Sequence, residues 1–256
     1  MIKEENRQIA SNIFEGMTSV SALIAAIEAG HNDRPILEIR FDRSKKPKKL
    51  REFSFLQRKC QEMQIPLRLT DTAELEKICI GNTHGGIVAL CGDRTLPLPT
   101  EDTLPRQGFL CLMEGIEDPY NFGYALRSLY AAGCDGVLLG ERNWMSAAGV
   151  VARASAGASE SMPLWSGDAL SAVKTLKNMG YRVICAGIRN SVSLYDAELK
   201  KPLLLVVGGE KRGISAEMLS LADEVVRIDY GRDFRGSLSA ASAATVMAFE
   251  ILHQNQ

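Results

Sequence analysis

Apolar positions recur at helical spacing through residues 18–30, "TSVSALIAAIEAG", where Val20, Leu23, Ile24 and Ile27 share one face. This predicts a helix with Thr18 or Ser19 as N-cap and Gly30 as stop. "PILEIRF" reads as a strand and "LREFSFLQRKCQEM" as a second amphipathic helix. "IPLRLT", a short helix near "AELEKI" and the strand "GIVALC" follow, so strands alternate with helices as in a small layered α/β unit.

The pattern changes after "GDRTLPLPTEDTLPRQG", which holds three prolines and few large apolar residues and reads as a linker. Beyond it, "GFLCLMEGI" and "KPLLLVVGG" are continuous apolar runs, as expected of strands covered on both faces. Shorter strands are predicted at "DGVLLG", "MPLW", "YRVICAG" and "EVVRID". Helices are predicted over "NFGYALRSLYAAG", "SAAGVVARASAG", "DALSAVKTLKNMG", "SAEMLSLA" and the terminal "GSLSAASAATVMAFEIL". The expected architecture is a small α/β domain over residues 1–95, a linker over 96–106, and an α/β domain over 107–256. The last is a doubly wound, mostly parallel sheet. Ligands in such sheets bind beyond the carboxyl ends of the strands.

Composition narrows the class of protein. Hydrophobic residues make up 46% and charged residues 24%, ordinary for a soluble globular chain. The N-terminus lacks the positive-then-apolar layout of a signal peptide, and no apolar run approaches bilayer length, so a cytoplasmic protein is expected. The six cysteines include no CxxC pair, which points to buried free thiols rather than a disulfide framework or a metal site. Net charge is only −1, yet "RFDRSKKPKKLR" gathers Arg40, Arg43, Lys45, Lys46, Lys48, Lys49 and Arg51 against Asp42. A solvated loop and a phosphate-contacting patch both fit that run.

Three loops carry unusual residues. In "MEGIEDPYNFGYALRS", Asn121 is placed to cap a helix whose buried stripe is Phe122, Leu126, Leu129 and Tyr130. Arg127 lies early in that helix, where the dipole gives a cation nothing, so it requires an anionic partner or a salt bridge to Glu114 or Glu117. "VVGGEKRGIS" has paired glycines straight after a strand, with Glu210 beside them, but matches neither the P-loop nor GxGxxG. The third loop, "RIDYGRDFRG", leads into a helix of small residues. There Ser237 is the expected N-cap, and Leu238, Ala241, Thr245, Ala248, Phe249 and Leu252 form the expected inward stripe. Arg232 and Arg235 just ahead of it could hold phosphates.

Strand–"DPYNFGYALRS", strand–"GGEKRGIS" and a final "GSLSAASAA" helix, in this order, resemble the SpoU (TrmH) branch of the SPOUT RNA methyltransferases. The resemblance runs from near Gly108 to the end. More loosely, "FEGMTSVSALIAAIEAG" and "NTHGGIVAL" resemble the ribosomal-protein-like substrate-binding domain that many members carry. The resemblance implies a trefoil-knotted C-terminal end, a homodimer, S-adenosylmethionine as methyl donor and a ribose 2′-hydroxyl of RNA as acceptor. Asn121 and Arg127 match the first motif on the RNA-facing side, and Glu210 matches the acid of the second. Val207, Gly208, Gly209 and Gly213 fall in the donor-binding loop. Ile228, Ser237 and Leu238 match third-motif positions around the adenine and the methionine part. The family usually has Asn where this chain has Gly209 and Ser239, and Pro where it has Asp229.

With that resemblance the expected catalytic set is Asn121, Arg127, Glu210 and Ser239. Arg40, Lys45, Lys46, Lys48, Lys49, Arg232 and Arg235 are expected on RNA, ribosomal rather than transfer RNA. A guanidinium is a poor general base, so Arg127 is expected to clamp a phosphate and stabilise the developing alkoxide. Two other readings stay open: a catalytically reduced RNA-binding or ribosome-assembly protein of the same fold, favoured by Gly209 and Ser239, and a doubly wound enzyme acting on a small metabolite.

Overall fold

The structure, a computed structural model, describes residues 12–81, 84–116, 118–140, 143–209 and 211–256. The chain falls into two compact units. One holds the described residues up to Thr95 together with Trp144–Ser161, and the other holds Leu96–Asn143 together with Met162–Gln256. The segment 144–161, read from the sequence as part of 107–256, thus packs with the first unit.

In the first unit β1 (Ile13–Glu15), β2 (Ile36–Asp42), β3 (Leu67–Thr70) and β4 (Ile87–Cys91) form a sheet of order β1-β4-β2-β3. β4 runs antiparallel to β1 and β2, and β3 runs parallel to β2. Helices α1 (Met17–Glu28) and α2 (Leu50–Glu62) bury Leu23, Ile24 and Leu56 with Phe14, Ile39 and Phe41 of the sheet. Neither Thr18 nor Ser19 caps α1. The turn out of β1 needs positive φ, which Gly16 supplies at 85°, so the N-cap falls two residues before Thr18, with no side-chain cap.

The short helices α5 (Ala148–Ala154) and α6 (Ala158–Ser161) complete this unit, and their small residues have a packing reason. A Cβ on Gly149 would lie 1.9 Å from the Ile13 carbonyl oxygen, and one on Gly157 would lie 2.2 Å from Ala22 Cβ. A buried ion pair adds to this. Arg34 Nε donates to Glu160 Oε2 at 3.0 Å with both side chains excluded from solvent. Asn32 Nδ2 donates to the same oxygen at 2.7 Å, and Arg34 Nη1 donates to the Gly92 carbonyl at 2.8 Å. Every partner is hydrogen-bonded, the condition under which a buried pair is tolerated.

The second unit is a seven-stranded, fully parallel sheet. Its strands are β5 (Phe109–Glu114), β6 (Gly136–Leu139), β7 (Leu164–Ser166), β8 (Arg182–Ala186), β9 (Val192–Ser193), β10 (Leu203–Gly208) and β11 (Glu224–Arg227), in the order β7-β6-β5-β10-β8-β11-β9. Alternate residues Leu110, Leu112, Leu204 and Val206 pack with Val173 and Leu176 of α7 (Ala169–Asn178) and Met218 of α8 (Ala216–Leu219). Phe109, Cys111, Leu203 and Leu205 point the opposite way and are equally buried, on the side where α4 (Pro119–Ala131) and α9 (Ala240–Gln254) pack. All six cysteines are free, and burial pushes the thiols of Cys91, Cys134 and Cys185 up to about 12.

Four local features differ from the expectation. Asp118, not Asn121, caps α4: its Oδ2 accepts from the Asn121 backbone N–H at 2.8 Å. Ser239, not Ser237, caps α9, accepting from the Ser242 N–H at 3.1 Å, because the extended loop runs two residues further than expected. The buried stripe of α9 is Ala240, Ala241, Ala244, Met247, Ala248 and Ile251, while Phe249 stays 46% exposed. Small residues let α9 lie close to α4 and β10, so the larger Phe249 is excluded from that contact. On α4, Tyr130 is likewise 46% exposed and Ala125 takes its place in the buried stripe.

Candidate functional site

The segments leaving β8, β10 and β11 converge with the loop before α9 on one cavity of about 760 Å³. It lies in the second unit at the carboxyl ends of three adjacent parallel strands, where such sheets bind ligands. Its walls come from residues 186–189, the loop after β10, residues 225–230, residues 234–238 and the first turns of α9.

The glycine loop after β10 is shaped first by the chain itself. Gly209 N–H donates to the Glu114 carbonyl at 2.7 Å, and Gly213 N–H donates to the Gly209 carbonyl at 2.9 Å. A Cβ on Gly209 would lie 2.0 Å from the Gly115 carbonyl oxygen, and one on Gly208 would lie 2.3 Å from the Gly213 carbonyl carbon. Gly213 turns the chain at φ 64°. The family's usual Asn at position 209 therefore has no room in this backbone.

Seven residues expected around the donor, Val207, Gly208, Gly209, Gly213, Ile228, Ser237 and Leu238, all line this cavity, and so does Arg235. Glu210 lies outside the described residues. Ser239 does not line the cavity; its Oγ is held at the α9 cap, 3.0 Å from the Ser242 hydroxyl. Asn121 and Arg127 sit on α4 and are not lining residues either. Arg127 is exposed and has no side-chain partner among the described residues; Glu114 accepts from the Ser215 N–H at 3.2 Å instead, and Glu117, the other acid expected near it, lies outside the described residues. Arg232 is exposed beside the cavity loop.

Sequence reasoning missed the wall after β8, including Gly187, Ile188 and Arg189, and also Arg212, Tyr230 and Phe234. "RVICAGIRN" carried the signal, a strand ending in Gly with a cation beyond it. Asp229 stands where the family has Pro. A hydrogen bond from Ser193 and then Arg227, whose Nε is 2.7 Å from Oδ1, hold its carboxyl below the usual range, so it faces the cavity ionised.

The basic segment of the first unit forms a 3-10 turn, Arg43–Lys48, started by Asp42, whose Oδ1 accepts from the Ser44 N–H at 2.9 Å. Lys48 is exposed, and Lys46 Nζ sits 4.1 Å over the Phe53 ring. Lys45 lies 3.9 Å from Asp42, and Lys49 Nζ lies 2.9 Å from where a Cβ on Gly85 would stand. Arg40 is paired with Glu38 at 3.1 Å. Among the described residues no helix is long and apolar enough to cross a membrane.

An all-parallel, doubly wound sheet with a glycine-walled cavity at its carboxyl edge defines a ligand-binding α/β protein. Residues 108–249 match the SpoU rRNA Methylase family, more than half of the chain. The chain belongs to that family. It is 28% identical over 246 residues to the 23S rRNA (guanosine-2′-O-)-methyltransferase RlmB of a Burkholderia species, across 94% of this chain and 96% of the relative. Its fold is that of the AdoMet-bound rRNA methyltransferase of Sinorhizobium meliloti, with TM-score 0.76, 21% identity and coverage of 97% and 89% of the two chains. The SpoU methyltransferase AviRb of Streptomyces viridochromogenes, in complex with AdoMet, is equally similar, with TM-score 0.76, 20% identity and coverage of 98% and 92%.

Proposed function

We propose that this protein transfers the methyl group of S-adenosylmethionine to a ribose 2′-hydroxyl of a structured RNA, ribosomal in preference to transfer RNA. The observation that carries the reading is the convergence on one cavity of the residues expected to hold the methyl donor. Family membership and the activity named for the Burkholderia relative support it. The cavity suits the donor in size and lining: Val207, Ile228 and Leu238 give an apolar wall, and the glycine loop offers backbone polar groups. When bound, S-adenosylmethionine supplies an activated methyl group. The chain's own task is to hold the acceptor hydroxyl in line and exclude water, which is orientation rather than covalent catalysis. Titration with S-adenosylhomocysteine is expected to show saturable binding that Leu238→Arg weakens by about tenfold or more, some 1.4 kcal/mol. Leu238 is a loop residue, so an unchanged affinity would place the donor elsewhere.

In this reading the first unit selects the RNA, as the looser resemblance of its sequence suggests, through the cations of the 43–49 turn. Charge reversal of Lys45, Lys46, Lys48 and Lys49 is expected to weaken RNA binding and lower the slope of log K against log salt by about 2–4. An unchanged slope would return the turn to ordinary solvated surface.

The reading also includes the knotted C-terminal threading and a homodimer. Tyr120, Tyr124 and Arg127 share one exposed face of α4, and Phe249 is exposed on its neighbour α9. A second copy covering that face would bury the aromatic rings and bring the Arg127 guanidinium to the interface. Sedimentation of the native chain is expected to give a dimer that Tyr124→Asp with Phe249→Asp converts to monomer. A monomeric native chain would contradict this.

A further inference from the structure

The loop between β11 and α9 carries chemistry that donor binding does not use. Tyr230 and Phe234 both line the cavity, with ring centroids 5.7 Å apart and planes tilted by 55°. At that tilt neither ring covers the other's face. The distal edge of Phe234 rests on Gly236, where a Cβ would meet the ring at 2.4 Å, so glycine there is what lets the ring lie down. The Tyr230 hydroxyl accepts from the Leu238 N–H at 3.1 Å, tying the two ends of the loop together. Phe234 is nonetheless 57% exposed, and Ile188 on the facing wall is 73% exposed.

Apolar area at a cavity mouth, held in place by the backbone rather than buried, does not stabilise the fold; it is surface kept for a ligand. The charges beside it indicate which ligand. Arg189, Arg212, Arg232 and Arg235 are all exposed on these same segments. Among the described residues the acids there are Asp233, which is exposed, and Asp229, which is paired with Arg227. Flat aromatic faces beside guanidinium groups suit a nucleotide, with its base on the ring and its phosphate on the arginine.

We infer that Tyr230 and Phe234 form a stacking platform for an unpaired nucleobase of the substrate RNA at the mouth of the cavity. This deepens the proposed function and rests on it for the identity of the RNA. Stacking is tolerant of base identity, so the platform holds an unstacked base beside the cavity without selecting sequence. Both positions are exposed, so replacing Phe234 does not threaten folding.

The test is binding, with no turnover needed. The anisotropy of a labelled single-stranded RNA is followed with the full-length protein saturated in S-adenosylhomocysteine, beside the same strand carrying abasic ribose throughout. Phe234→Ala is expected to weaken binding of the base-bearing strand by about tenfold or more and to leave the abasic strand unchanged. The salt slope should not move, because no charge is lost, and Phe234→Trp should restore affinity. Arg232→Gln with Arg235→Gln should lower the slope instead. Equal losses on both strands, or loss of S-adenosylhomocysteine affinity with RNA binding intact, would overturn the platform and make the ring part of the donor pocket. A native protein that binds base-bearing RNA in this way yet transfers no methyl group would sink the methyltransferase reading and leave the platform standing. Failure to bind RNA at all would overturn both.

Discussion

Arg127→Ala is expected to lower methyl transfer to RNA by about 10²–10³-fold while leaving S-adenosylhomocysteine affinity unchanged. That magnitude is typical for removing one group that stabilises developing charge on oxygen. The selectivity follows from position. Arg127 stands exposed on α4, without a partner among the described residues, and does not line the cavity. Arg127→Lys should recover only a small part of the rate, because an ammonium cannot reproduce the planar two-pronged contact with a phosphate. Full rate in Arg127→Lys would remove the planar contact from the account.

The largest expected effect on stability is in the first unit. Glu160→Ala leaves the Arg34 guanidinium buried without its counter-ion, and Asn32 keeps only the Glu160 backbone carbonyl, at 3.1 Å, of its two acceptors there. Breaking such a pair from one side costs about 3–5 kcal/mol, read as a lower denaturant midpoint. Replacing both partners by apolar residues, Arg34→Met with Glu160→Leu, should recover much of the loss, since no charge is then left buried. Equal stability of Glu160→Ala and the native chain would mean that water reaches Arg34.

Glu160 also shows why part of the fold could not be read locally. Its partner Arg34 lies 126 residues earlier in the chain, and Gly149 and Gly157 are set by contacts to Ile13 and Ala22. Periodicity saw the small residues of "SAAGVVARASAG" but not which unit they pack against. The long parallel strands were legible because a strand covered on both faces is apolar at every position. β1 and β9, of three and two residues, are too short to carry a pattern. In α9, Ala and Ser dominate, so two stripes compete; the larger apolar residue Phe249 drew the reading toward the outward one. The cap errors at α4 and α9 have one cause, that several Ser, Asp and Asn residues stand within three positions of each helix start and only the backbone decides among them.

The site was legible in a different way. The cavity positions came from three ordered motifs and the resemblance they carry, and the structure brings seven of those residues together. The Tyr230–Phe234 pair was invisible to motif reading, since "YGRDFRG" departs from the family pattern. Gly209 is explained by the Gly115 carbonyl that leaves no room for a side chain, so its departure from Asn is not by itself a sign of lost function.

The most direct test of the central claim is transfer of label from S-adenosylmethionine to ribosomal RNA transcribed without modifications, with Arg127→Ala beside the native protein. The account predicts label in an alkali-resistant dinucleotide, the mark of a methylated ribose 2′-oxygen, and its loss in the variant. RNA that is bound but never labelled would contradict it and favour an RNA-binding protein that kept the fold without the reaction.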